Sequence, residues 1–296
     1  MVSHLTLLVA LTYPGAEPAP LVARINNLVA GYKGKVAVAC LHLETRGKVE
    51  LHPDDVMPTA SLIKLAVMAE VYAQAKEGKV KLEDMLTLPK DEMVQGSGIL
   101  TDHFSPGAQF SLRDAVRLMI VYSDNTATNM VLSKVGIKPV NERMASLGLK
   151  ETRINAKVFK GSTTSVDPGR TKQYGLGSTT ASEMLRLLEL LHKGELVSAE
   201  ASKAMLEHMK KCDDKDKFPR FLPKGATVAH KTGSVNNSRT DAGILYFKGG
   251  PVALVVLTND NEDKSWTPDN SGNKLCADIA KAVVEYYAKP SDPSKK

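Results

Sequence analysis

The sequence predicts an α+β protein: one antiparallel five-stranded sheet, built from both chain ends and flanked by helices, with an inserted all-α lobe. Three observations predict it. Apolar runs of strand length lie near both ends of the chain. The stretch between them, from Ser61 to about Met209, has helical periodicity almost throughout. Strands and helices do not alternate as they would in the βαβ units of a parallel sheet, so the terminal strands are expected to meet in one sheet.

In chain order, Leu21 to Tyr32 has the spacing of an amphipathic helix, and Val36 to Leu43 is an apolar strand. Gly47 turns the chain into a second strand around Val49-Glu-Leu-His52. Ser61 to Lys76 is apolar nearly all round, which predicts a buried central helix. Ser111-Leu-Arg-Asp114 opens another helix, with the aspartate suited to the positive helix start. Thr180 and Glu183 form a capping-box pattern ahead of Met184-Leu-Arg-Leu-Leu. Strands follow at Ala226 to Thr232, Ala242 to Phe247 and Val252 to Thr258, the last two joined by Gly249-Gly250. Asn273 to Tyr287 closes the fold as a helix. The expected organisation is a leader over 1–20, an α/β lobe from 21–60 and 210–289, an all-α lobe over 61–209, and a polar tail over 290–296. A cleft between the lobes is the expected place for a site.

Composition narrows the function classes. A chain of 296 residues can bury a core without metals or disulfides. The net charge is +6, but the basic residues are scattered and accompanied by few aromatics, so a solvated surface is expected rather than a nucleic-acid interface. Cys40, Cys212 and Cys276 do not make a disulfide framework, and Cys40 sits in an apolar run as a small hydrophobe; a single bridge stays open. The seven histidines show no metal-ligand spacing and no phosphate-cradling loop is present, so neither metal nor other cofactor is expected. Leu5 to Leu11, followed by small residues, resembles a secretory leader without its basic start, which predicts a secreted or periplasmic protein. That run is too short to span a bilayer. A monomer is expected.

Three motifs carry chemistry. Ser61-Leu-Ile-Lys64 places a hydroxyl and an amine one helical turn apart. Burial would push the amine toward its neutral form, able to take the serine proton, and a helix start offers N–H groups to an oxyanion. Ser123-Asp-Asn125 lies between two helices. It reads as a cap, or as a relaying hydroxyl with an amide for a substrate carbonyl. Lys231-Thr-Gly233, followed by Ser234, ends a strand. Its lysine can hold a carboxylate or tune a hydroxyl, Gly233 leaves room for a ligand, and Ser234 N–H can be a second oxyanion donor beside Ser61. Each alone is weak: Ser271-Gly-Asn-Lys274 repeats the first spacing. Their joint occurrence, in order and each in the element the chemistry needs, is specific.

With Met57-Pro-Thr-Ala-Ser61, Ser123-Asp-Asn-Thr-Ala-Thr-Asn129 and His230-Lys-Thr-Gly-Ser234, the chain resembles the penicillin-recognising serine enzymes, class A β-lactamases in particular, from about Leu21 to Tyr287. The resemblance implies two lobes flanking the site and attack of Ser61 on a β-lactam or amide carbonyl to give an acyl-enzyme. It implies catalytic roles for Lys64, Ser123 and Lys231, and substrate contacts from Asn125, Thr232, Gly233 and Ser234. Arg239 is the expected counterpart of the family's carboxylate-binding arginine.

One departure matters. The family's loop glutamate, which activates the deacylating water, has no counterpart in Ala156-Lys-Val-Phe-Lys-Gly161. Asp167 is the single carboxylate between Arg153 and Thr180, and Asp167 or Lys64 could stand in for the glutamate. Three readings therefore stay open: a β-lactam hydrolase with slow deacylation, a peptidase or transpeptidase of cell-wall peptides (or another ester or amide hydrolase), and a penicillin-binding sensor that acylates without turnover. Gly96-Ser-Gly98 is read as cleft wall or as plain loop.

Overall fold

The structure is a computed structural model that describes residues 18–288. The first 17 residues of the expected leader and the polar tail lie outside it. Helix α1 (Ala19–Ala30) begins inside the range expected for the leader, because Pro20 in its first turn has no N–H to leave unpaired.

Strands β1 (Lys35–His42) and β2 (Lys48–Leu51) come from the front of the chain. Strands β3 (Thr227–Val235), β4 (Ser238–Tyr246) and β5 (Val252–Asn259) come from the back. They form one antiparallel sheet in the order β2-β1-β5-β4-β3, so the first and last strands pair at its middle. Strands β3 and β4 run longer than expected and meet at a tight turn over Asn236 and Asn237. Polar residues such as Asp241 hid that extension, because strand periodicity is read from apolar residues.

β1 and β5 are apolar at nearly every position because both faces of the sheet are covered. Val36, Val38, Cys40, Val252, Leu254 and Val256 face α1 and the C-terminal helix. Ala37, Ala39, Ala229, Ala242 and Ala253 face the helical lobe. Small side chains on this inner face let the helix over 181–193 lie close to the strands.

In the inserted lobe, a 3₁₀ turn (Ala60–Ile63) leads into α2 (Lys64–Lys76), buried all round as expected. α3 (Leu112–Val121) is capped by Ser111. It is followed by α4 (Asn125–Val135), α5 (Ala181–Lys193) and α6 (Ala199–Lys210). α7 (Ser271–Tyr287) then returns to the outer face of the sheet.

The lobe is mainly helical but not all-α. It also holds a two-stranded ribbon (Met85–Thr87 with Gln109–Ser111), and Gly177–Thr179 pairs with Met57–Pro58 on one side and Arg153–Ile154 on the other. Two- and three-residue strands leave too short a period to register in the sequence. The capping box at α5 is half formed. Thr180 accepts from Glu183 N, but the Glu183 carboxylate turns away to the backbone N–H groups of Glu151 and Thr152, tying the helix start to that small sheet. All three cysteines are free and buried.

Candidate active site

The two lobes meet at a cleft of about 830 Å³. Its wall includes Ser61, Ser123, Asn125, Thr232, Gly233, Ser234 and Arg239 from the three motifs and β4, together with Gly96 and Ser97. The first two motifs reach it by different local solutions.

Ser61 lies in the 3₁₀ turn, directly after Ala60, which holds a left-handed φ of 46°. Neither the turn nor α2 has a side-chain cap, so the Ser61 hydroxyl is not spent on the backbone. In Ser123-Asp-Asn125 the capping duty falls to Asp124 alone. One of its oxygens accepts from Ala127 N at 2.7 Å; the other accepts from Ile99 N and Leu100 N at 2.7 and 2.8 Å. Asp124 thus fastens the 96–100 loop to the start of α4. Gly98 is needed there, because a Cβ would sit 2.3 Å from the Asp124 carboxyl. Ser123, at φ 55°, and Asn125 are left for the cleft.

Lys64 is fully buried, and its three hydrogen bonds go to Ser123 O (2.6 Å), Asn125 Oδ1 (3.0 Å) and Ser123 Oγ (3.2 Å), none of them to Ser61. Burial, and then the nearby Lys231 charge, push its ammonium well below the ordinary lysine value, with Asp124 opposing. A neutral amine has two N–H bonds. These match the two carbonyl acceptors and leave the lone pair for the Ser123 hydroxyl.

From the other side Lys231 donates to Ser123 Oγ at 3.0 Å and to Thr232 O at 2.8 Å. Burial lowers it as well. The Ser123 hydroxyl therefore bridges two buried amines.

Gly233 borders the cleft, but the space left by its missing side chain is taken by the protein. A Cβ would lie 2.3 Å from Thr59 O, 2.5 Å from Thr240 Oγ1 and 3.0 Å from Leu62 N. The expected room for a ligand is in fact the close approach of β3 to the nucleophile turn.

Arg239 stands opposite Ser234 in the β3–β4 register and is buried. Its guanidinium donates to the carbonyls of Val235, Ser238 and Ser265 and lies 4.8 Å from the Trp266 ring centre. Among the described residues no carboxylate forms an ion pair with it. Asp167 is not in the cleft wall; it caps the short helix Pro168–Tyr174, accepting from Arg170 N at 3.0 Å. As a cap at a loop turn it has no place as a base.

The loop Ala156–Phe159 does form cleft wall, and it carries no acid; Val158 is part of that wall. Asn129 clamps it: Val158 N donates to Asn129 Oδ1 at 2.8 Å and Asn129 Nδ2 donates to Val158 O at 3.2 Å. The carboxylates in the wall are Asp214 and Asp216. Burial alone would raise Asp214, but its ion pair with Lys217 at 2.7 Å outweighs that and holds it well below the usual range.

Several of these residues carry no motif. Phe159, Trp266, Asp214 and Lys217 reach the cleft from loops; only the lone tryptophan and the aromatic inside a polar loop were sequence signals. No group of His, Cys, Asp and Glu suited to a metal occurs among the described residues.

Comparison with known proteins agrees with this geometry. A family model described as the Beta-lactamase enzyme family matches residues 20–287. Beta-lactamase 3 of Bacillus cereus is 28% identical over 259 residues, covering 86% of this chain and 77% of that protein. The structure of a beta-lactamase from Sphaerobacter thermophilus superposes with a TM-score of 0.79 at 25% identity, over 92% of this chain and 99% of that one. PBP-A gives a TM-score of 0.82 at 25% identity, over 94% and 99%. A family match across nearly every described residue, on a cleft built from all three motifs, means that this chain belongs to the Beta-lactamase enzyme family.

Proposed function

We propose that the protein is a serine acyl-hydrolase of β-lactam amides, working through an acyl-enzyme on Ser61. The observation that carries it is the Ser123 hydroxyl held at 3.2 Å from Lys64 Nζ and 3.0 Å from Lys231 Nζ, in the cleft that Ser61 borders. Neutral Lys64 takes the Ser61 proton as Oγ attacks the carbonyl. The N–H groups of Ser61 and Ser234 stabilise the oxyanion. Ser123 passes a proton to the departing nitrogen and is resupplied by the amines on either side. Asn125 contacts the acyl-side amide. Lys231, Thr232, Ser234 and Arg239 attract the substrate carboxylate, Arg239 being a buried cation with no ion-paired carboxylate among the described residues.

A second reading is favoured by Val158 in the cleft loop: acylation without efficient release, as in a penicillin-binding protein or a peptidase of cell-wall peptides. PBP-A, a structural neighbour, has been captured in a variant form as an acyl-enzyme complex with penicillin G. The test is hydrolysis of a chromogenic cephalosporin with intact-protein mass followed in parallel. Turnover beyond one equivalent, lost in Ser61→Ala, is expected for the hydrolase. A one-equivalent burst with a lasting adduct on Ser61 supports the second reading. Turnover that survives Ser61→Ala overturns both.

A further inference from the structure

Phe159 is held in a conformation that folding alone does not explain. Its φ is 56°, in the left-handed region that bulky side chains avoid, and its side chain is 73% exposed. Strained backbone and a solvated aromatic ring both cost stability, and such residues persist where the surroundings over-determine them for function.

The surroundings do so here. Asn129 clamps the backbone of Val158, just before it. Lys157 binds Glu92 and Ser133, and Lys160 binds Glu92 and the carbonyl of Asp91. The segment is thus tied on both sides of Phe159, by the Val158 backbone and by the Lys157 and Lys160 side chains, while the ring is largely exposed.

The ring is aimed at the cleft. It lies 3.3 Å from the point that a Cβ on Gly96 would occupy, and Asn125 Nδ2 lies 2.8 Å from the same point. Gly96 is therefore the gap through which the ring and the Asn125 amide become neighbours. Arg239, a cation of the cleft wall, is the proposed holder of the substrate's anionic end, which leaves the Asn125 end for the acyl group. Val235 and Trp266, 40% and 66% exposed, give the cleft further apolar wall.

We propose that Phe159 is a specificity-determining residue: its fixed ring, beside Asn125, receives a flat apolar substituent on the acyl group, so the protein prefers aryl-acyl substrates. This rests on the reading of Ser61 as the acylated nucleophile. A ring presented in advance stacks without loss of loop freedom, and an aromatic contact of this kind favours the aryl substrate by roughly 5- to 10-fold.

The experiment compares acylation rates of benzylpenicillin and of 6-aminopenicillanic acid, which shares the nucleus and lacks the acyl group. Rates are taken by single-turnover mass measurement, so that slow release does not interfere. In Phe159→Gly the benzyl-to-unsubstituted ratio is expected to fall roughly 5- to 10-fold. The thermal midpoint is expected not to fall, since glycine accepts the positive φ. Phe159→Leu should lose most of the same ratio. An unchanged ratio overturns the proposal, as does an equal fall for both substrates with a lowered midpoint, which would make Phe159 structural. If neither penicillin acylates the native protein, the reading of Ser61 fails, and this proposal with it.

Discussion

At the residue scale, the cleft is made by assigning one task to each member of a motif. Asp124 takes the capping work that a polar triplet between helices usually does, and so frees Ser123 and Asn125 to face the two amines. Lys64 is useful because it is buried against acceptors and a second cation. Val158 marks what is missing. It lies in the cleft wall, fixed by Asn129, with no carboxylate in its own loop segment. Substituting Val158→Glu supplies a base at that point, and the lifetime of the acyl-enzyme, followed by intact mass, is expected to shorten by about 100-fold. An unchanged lifetime would mean that water is activated elsewhere, with Lys64 the remaining candidate. A substitution that forces a permanent charge at position 64 tests the other half of the chemistry. Lys64→Arg puts there a cation that cannot deprotonate, so acylation should slow by roughly 100-fold or more at neutral pH in single-turnover assays.

At the scale of elements, the site depends on how closely β3 approaches the turn before α2. Gly233 permits that contact, and a Cβ there would meet the backbone of Thr59 and Leu62, which cannot simply rotate aside, as well as the Thr240 hydroxyl. Gly233→Ala is therefore expected to cost about 1–3 kcal/mol in urea unfolding. It should also slow acylation by about 100-fold, because separating the strand from the turn misplaces Ser61 relative to Ser234. A variant that loses stability and keeps full acylation would show that the turn and the strand are not coupled. The reading of elements from sequence was good where apolar spacing was long, as in α2, α5 and the central strands β1 and β5. It shortened β4 at its start, because Arg239, Thr240 and Asp241 are buried polar residues that mimic a loop. The small strands around Ile154 and Ser178 had no period to read.

At the scale of the whole molecule, the outer face of the sheet carries a buried charge pair behind the cleft. His230 Nδ1 lies 2.9 Å from Asp241 Oδ1, and Asp241 also accepts from Phe218 N at 3.0 Å. The pair joins β3, β4 and the segment that brings Asp214 and Lys217 to the cleft. Burial alone would lower His230, but Asp241 and Cys212 beside it outweigh that and raise it from 6.5 to about 10. A raised value stabilises the protonated form. The contribution is therefore complete below pH 6.5 and is lost as the pH climbs toward 10. Urea unfolding from pH 6 to pH 10 should show stability declining over that window. Asp241→Asn should lower stability by about 3–5 kcal/mol at pH 6 and by less at pH 10. Parallel curves for the two proteins would mean that His230 is neutral in the fold.

The sequence by itself determined the antiparallel sheet from both chain ends, the helical insert, the order of the three motifs and the absence of an acid from the 156–161 loop. These are local facts: apolar period, capping residues and short spacings are written in consecutive positions. What only the tertiary structure decided is non-local. It set Lys64 and Lys231 on the same hydroxyl, 59 and 108 positions from Ser123. It gave the space beside Gly233 to Thr59, surrounded Arg239 with carbonyls, made Asp167 a cap, and joined His230 to Asp241. It also turned Phe159 toward Gly96 and Asn125. Each of these depends on which distant residues share a burial site, and packing of the two lobes against one sheet settles that after the local pattern is satisfied.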